Sequence, residues 1–162
     1  MFVKHPLIRP DSIEERDYQR ALADICLRSS TLVVVPTGMG KTVVALLVIA
    51  DVMLKGRGKV LFLAPTKPLV EQHSCFLRDH LLDRSITVLT GAVAPEEREA
   101  EWIQNDVIVS TPQVIANDLR TERITLRDVR LIIFDEAHRG VGNYSYVPIA
   151  EEFRSVNGLT MG

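Results

Sequence analysis

Apolar and polar positions along this chain follow two alternating rhythms. Short, unbroken, largely β-branched runs recur at Thr31-Leu32-Val33-Val34-Val35, Lys59 to Ala64, Ile86 to Leu89, Val107 to Val109 and Leu131-Ile132-Ile133-Phe134. Runs this short and this continuous predict strands buried on both faces. Between them, apolar residues return every three or four positions, the spacing of one helix face. Val43 to Leu54 predicts an apolar helix with no internal Gly or Pro, and Leu69, Val70, His73, Phe76, Leu77, His80 and Leu81 mark one face of the next. Pro95, Glu96 and Glu97 suit the first turn of a helix that carries Trp102, because Pro and acidic residues both favour a helix start. Thr111-Pro112 reads as an N-cap followed by a first helical residue, and Tyr146, Ile149, Ala150 and Phe153 mark a last helix. Ahead of the first strand, Ser12 and Glu15 form a capping-box pattern, and Tyr18, Ala21, Leu22, Ile25 and Cys26 then repeat at helical spacing. Alternation of strands and helices predicts an α/β fold with a mainly parallel sheet and helices on both faces.

Two of the predicted strands end in residues with chemistry. The first runs into Pro36-Thr37-Gly38-Met39-Gly40-Lys41-Thr42. Gly38 and Gly40 allow a tight turn that brings backbone N–H groups close to an anion, and the helix start behind them adds partial positive charge. Lys41 reaches the β- and γ-phosphates of a nucleotide, and Thr42 offers a hydroxyl to Mg²⁺. The strict phosphate-loop pattern G-x-x-x-x-G-K-[ST] departs at its first glycine, where this chain has Val35. The strand at Leu131 delivers Asp135-Glu136-Ala137-His138 to the carboxyl end of the sheet, where open α/β folds bind ligands. Asp135 is the expected magnesium partner, direct or one step removed. Glu136 is the expected base that orients water, and His138 a relay of the nucleotide state. The pair of motifs, in this order, predicts an ATP-driven machine.

Composition narrows the partners. Of the 162 residues, 46% are hydrophobic and 25% charged, the balance of one ordinary globular domain. The net charge of −2 gives no overall basic footprint, so any nucleic acid must be held by local contacts. No apolar run reaches the length of a membrane span, and Met1 to Pro10 lacks the apolar core of a signal peptide. Cys26 and Cys75 fall on predicted helices, make no metal-ligand pattern and are expected to be small buried side chains. A reduced, cytoplasmic setting fits, with association to the nucleoid if the source is archaeal. Arg120, Arg123, Arg127 and Arg130 are interleaved with Asp118, Glu122 and Asp128, which reads as a solvated face rather than a nucleic-acid patch.

With these motifs in place the chain resembles the amino-terminal motor domain of superfamily 2 helicases of the DEAH-box type, from about Arg9 to Thr160. Arg16-Asp17-Tyr18-Gln19 resembles the adenine-reading Q motif, and Ala64-Pro65-Thr66-Lys67-Pro68-Leu69-Val70-Glu71-Gln72 resembles motif Ia. Thr90-Gly91 and Thr111-Pro112 resemble the strand-contacting elements around motif Ib. Two longer stretches are similar to the family of the archaeal Hef helicase–nuclease and the Fanconi anaemia group M translocase. One is Ile133 to Arg139 followed by Gly142 to Val147; the other is Leu89-Thr90-Gly91 followed by Pro95, Arg98 and Trp102.

The resemblance implies a RecA-like P-loop domain and an ATP- and Mg²⁺-dependent DNA helicase or translocase acting on forked or branched DNA in repair and fork processing. It implies that Arg16 and Gln19 read the adenine, and that Thr66, Lys67, Thr90, Gly91, Thr111 and Pro112 touch one DNA strand along its backbone. Residues 1–162 then form one motor domain, from the Q motif to the start of motif III, truncated at its carboxyl-terminal edge and without the second lobe. Only Thr160 matches motif III. In the family fold the strand entering that motif lies between the P-loop strand and the acidic strand. Such a fragment is expected to hydrolyse ATP poorly by itself. Alternative readings are an RNA-directed motor of the same superfamily, or a non-catalytic ATP-binding or interaction remnant. A P-loop kinase explains the first motif but not the second.

Overall fold

A computed structural model describes residues 6–9, 31–35, 41–55, 58–135 and 146–157. In chain order the elements are β1 (Thr31–Val35), α1 (Lys41–Lys55), β2 (Lys59–Leu63), α2 (Lys67–His80), β3 (Ile86–Leu89), α3 (Pro95–Gln104), β4 (Val107–Ser110), α4 (Pro112–Arg120), β5 (Val129–Asp135) and α5 (Tyr146–Asn157). Every strand and helix expected from the pattern within these residues is present, and the bounds move by a residue or two. The capping box at Ser12 and the helix through Cys26 lie outside the described residues.

The five strands form one sheet in the order β1-β5-β2-β4-β3, with every neighbouring pair parallel. Parallel neighbours need crossover connections, and the intervening helices supply them. Side chains alternate across the sheet, so each strand feeds two cores. On one face Val60, Phe62, Val107, Val109, Leu131 and Ile133 pack with α1 and α2. On the other, Leu61, Leu63, Ile108, Ile132 and Phe134 pack with Trp102, Val114, Ile115, Ile149 and Phe153 of α3, α4 and α5. Full burial of each large side chain contributes about 1.5–3 kcal/mol, which is why the strands read as continuous apolar runs.

Helix α1 is buried from Ala45 through Met53, the apolar-all-round character of a central helix. Helix α2 is amphipathic and buries Val70, His73, Ser74 and Leu77. Cys75 is exposed, contrary to the sequence expectation. One residue beyond Ser74, at about 100° per residue, it turns off the buried stripe and onto the outer face. The chain ahead of the sheet is pinned here too: Leu82 N donates to Leu7 O and Arg9 N to His80 O.

The segment that the resemblance places between the P-loop strand and the acidic strand, entering motif III at Thr160, lies outside the described residues. β1 and β5 share a direct ladder from Thr31↔Leu131 to Val35↔Asp135. A buried strand edge must pair its N–H and C=O groups, and among the described residues β1 occupies that edge of β5.

Candidate functional site

All five strands are parallel, so their carboxyl ends share one edge of the sheet. Across it, in order, lie Val35 of β1, Asp135 of β5, Thr66 just beyond β2, Thr111 just beyond β4 and Thr90 just beyond β3. The two halves of this edge differ in chemistry.

The first half carries the ends of β1 and β5. The β1–β5 register sets Val35 level with Asp135, so the segment leaving β1 starts beside the acidic strand end. Lys41 and Thr42 are the first two residues of α1, which places the glycine-containing segment between a strand end and a helix start. Pro36 to Gly40, Glu136 and His138 lie outside the described residues, as do Arg16 and Gln19.

Asp135 is buried, at 1% exposure. Its Oδ2 accepts a hydrogen bond from His73 Nε2 at 2.6 Å. The His73 ring, equally buried, stacks on Phe62 with centroids 4.5 Å apart. Among the described residues no three His, Cys, Asp or Glu side chains cluster as a metal cage. Mg²⁺ seldom uses one; it is held by one or two carboxylates, with phosphates and waters completing the octahedron. A buried carboxylate level with the end of β1 fits that donor set.

The second half is built from helix starts. Thr66 is the N-cap of α2, and its hydroxyl accepts from Leu69 N at 3.4 Å. Thr66 and Lys67 are exposed. Thr111 occupies the N-cap position of α4 with Pro112 behind it, but its hydroxyl makes no capping bond. Pro112 is buried and Thr111 half-buried. Thr90 is buried, and its Oγ1 accepts from Ala92 N at 3.3 Å, closing a turn that exposes Gly91. A Cβ added at Gly91 would meet nothing within 4 Å, so the position has open space above it. Ser110 joins the two last elements: its hydroxyl lies 2.8 Å from Leu89 O. Unpaired N–H groups at helix starts favour anions without reading bases.

A buried ion pair holds this half in shape, and the residue spacing does not show it. Arg98 of α3 forks onto Asp118 of α4, Nε to Oδ2 at 2.9 Å and Nη2 to Oδ1 at 2.8 Å. Its Nη1 donates to Val93 O in the Thr90 turn at 2.6 Å. The hydrogen bonds to Asp118 push the Arg98 pKa above its ordinary value, against the opposing effect of burial. Asp118 therefore leaves the solvated face to which the arginine-rich stretch assigned it. Arg120 and Arg127 remain exposed as expected.

A cavity of about 580 Å³ opens at the opposite, amino-terminal edge of the sheet, beside Lys59, Trp102 and Asp128. Two of its cations have partners. Lys59 Nζ donates to the Ile103 and Asn105 carbonyls, and Arg123 lies 3.7 Å from Glu96 and Glu99. Burial lowers the Lys59 pKa, with Asp106 and Asp128 partly offsetting it.

Comparison with known proteins identifies the family. The family model described as DEAD/DEAH box helicase matches residues 16–159. A Methanocaldococcus jannaschii protein named as an ATP-dependent RNA helicase is 42% identical over 99% of this chain and 21% of its own length. The ATP-dependent DNA helicase mph1 of Sclerotinia sclerotiorum is 39% identical over 88% of this chain and 12% of its own. The crystal structure of the Pyrococcus furiosus Hef helicase domain superposes with a TM-score of 0.80 at 48% identity, covering 91% of this chain and 32% of that one. The chain thus spans about a fifth or less of the length of these curated relatives. Among the described residues no helix is long and apolar enough to cross a membrane.

Proposed function

The chain belongs to the DEAD/DEAH box helicase family, and from that premise we propose that it is the ATP-binding first lobe of a motor that acts on forked or branched DNA. The observation that carries this reading is the shared edge. A phosphate-loop strand and a buried carboxylate stand side by side there, and three strand ends bearing Thr66, Thr111 and Thr90 continue the row. From β5 to β3 is three strand steps of about 4.8 Å, or roughly 14 Å, close enough for one rigid sheet to carry both activities.

In this reading Pro36 to Gly40 wrap the phosphates, Lys41 neutralises them, and Thr42 and Asp135 hold Mg²⁺. When bound, the ion draws charge from the phosphate oxygens. Glu136 orients the attacking water, His138 relays the nucleotide state, and Arg16 and Gln19 meet the adenine. Thr66, Lys67, Thr90, Gly91, Thr111 and Pro112 grip one strand through its phosphates, a grip indifferent to sequence, as translocation requires. Residues 1–162 act as one lobe. Arginine fingers from elsewhere in a complete motor are worth about 10³–10⁵ in rate, so this chain by itself turns over ATP slowly.

Forked DNA is favoured over RNA by the Hef-like run from Ile133 through Val147 and by the 48% identity to the Hef helicase domain. The RNA reading draws on the name of the Methanocaldococcus jannaschii relative. ATP hydrolysis by a protein carrying both lobes separates them. Forked DNA is expected to stimulate hydrolysis well above duplex RNA. Equal or greater stimulation by RNA contradicts the DNA assignment.

A further inference from the structure

His73 belongs to no motif singled out for chemistry. Its place on the inward face of α2, in register with Val70 and Leu77, reads as core. The structure gives it a more specific position. Its Nε2 donates to Asp135 Oδ2 across two elements 62 residues apart in sequence. The ring is held flat against Phe62, with an interplanar angle of 23°. Its Nδ1 is buried and, among the described residues, meets no hydrogen-bond partner. A ring serving only as a packed, satisfied core histidine would engage both nitrogens. This one is engaged only at the nitrogen facing the carboxylate, and placing the proton on Nε2 leaves a lone pair rather than an N–H unpaired.

We infer that His73 is a positioning residue for the metal: it fixes the plane of the Asp135 carboxylate and ties it to the helix that begins at Thr66 and Lys67. This rests on the ATP–Mg²⁺ reading of the site. With Oδ2 bonded to a stacked, buried ring, the direction of the whole carboxylate is set, Oδ1 included. Partners that orient a metal ligand are typically worth about 10–100-fold in metal affinity. The link also has a direction. Lys67 opens α2 and His73 lies six residues on, about 9 Å along the axis. A nucleic-acid strand that moves the start of this helix therefore moves the group holding Asp135. The strand-gripping half and the nucleotide half of the edge are joined by one rigid element and one hydrogen bond.

The test uses the 162-residue chain, a fluorescent ATP analogue and a Mg²⁺ titration, with thermal melts in parallel. His73→Phe keeps the ring stack and removes the N–H. His73→Gln keeps an N–H near the Nε2 position and removes the ring. His73→Phe is expected to need about 10–100-fold more Mg²⁺ for half-maximal analogue binding, and His73→Gln to stay within about threefold of the parent. A folded His73→Phe protein with parental Mg²⁺ dependence overturns the inference. So does a folded His73→Gln protein that loses tenfold or more, and this variant decides the matter if His73→Phe does not fold. A parent chain that binds the analogue with no Mg²⁺ dependence overturns the metal-site reading and this inference together. Failure of the His73 variants alone leaves that reading standing.

Discussion

Replacing Asp118 with alanine lowers the stability of the domain by about 3–5 kcal/mol, because the guanidinium of Arg98 is left buried without its counter-charge. Arg98 is 5% exposed and Asp118 1%, so water cannot take over the lost bonds. At roughly 2–4 °C per kcal/mol for a chain of this size, the melting temperature falls by about 6–20 °C. The reciprocal control separates a broken pair from a missing one. Arg98→Met with Asp118→Leu removes both charges together and is expected to cost far less, since apolar replacements of a buried pair are often neutral. Urea melts of the single and double variants give the comparison. A loss below about 1 kcal/mol in Asp118→Ala would mean that the pair is screened like a surface salt bridge. The consequence reaches the site as well. Arg98 also holds the Val93 carbonyl, so the same substitution loosens the turn carrying Thr90 and Gly91.

Glu136→Gln reduces ATP turnover by about 10²–10⁴-fold, the usual contribution of a positioned general base, while nucleotide binding is retained. The amide keeps the shape of the side chain and removes only its capacity to accept a proton. Asp135, the proposed metal partner, is untouched. The measurement is single-turnover hydrolysis in a protein carrying both lobes, with analogue binding measured beside it. Turnover within a few fold of the parent assigns the base to another residue.

Much of this architecture was legible from the chain because the physics is local. A parallel strand covered on both faces has to be apolar at successive positions, and Val60 through Leu63 or Leu131 through Phe134 admit few other readings. Pro95 and Pro112 mark helix starts because their missing N–H costs nothing there. The two motifs stood out for the same reason: glycines, a lysine and adjacent carboxylates are conspicuous after apolar runs, and the structure sets Val35 level with Asp135. What escaped was non-local. Nothing in the spacing of Arg98 and Asp118, 20 residues apart, shows that α3 and α4 bring them together. The only hint at His73 was a polar ring in register with Val70 and Leu77. Cys75 was misplaced by a single helical step.

The central claim is that the edge beside β1 and β5 binds ATP with Mg²⁺ through Lys41. Titrating the purified chain and its Lys41→Ala variant with a fluorescent ATP analogue and Mg²⁺ tests this most directly. Saturable, Mg²⁺-dependent binding by the parent, lost in the folded variant, is the predicted result. Equal binding by both proteins, or none by a folded parent, contradicts it.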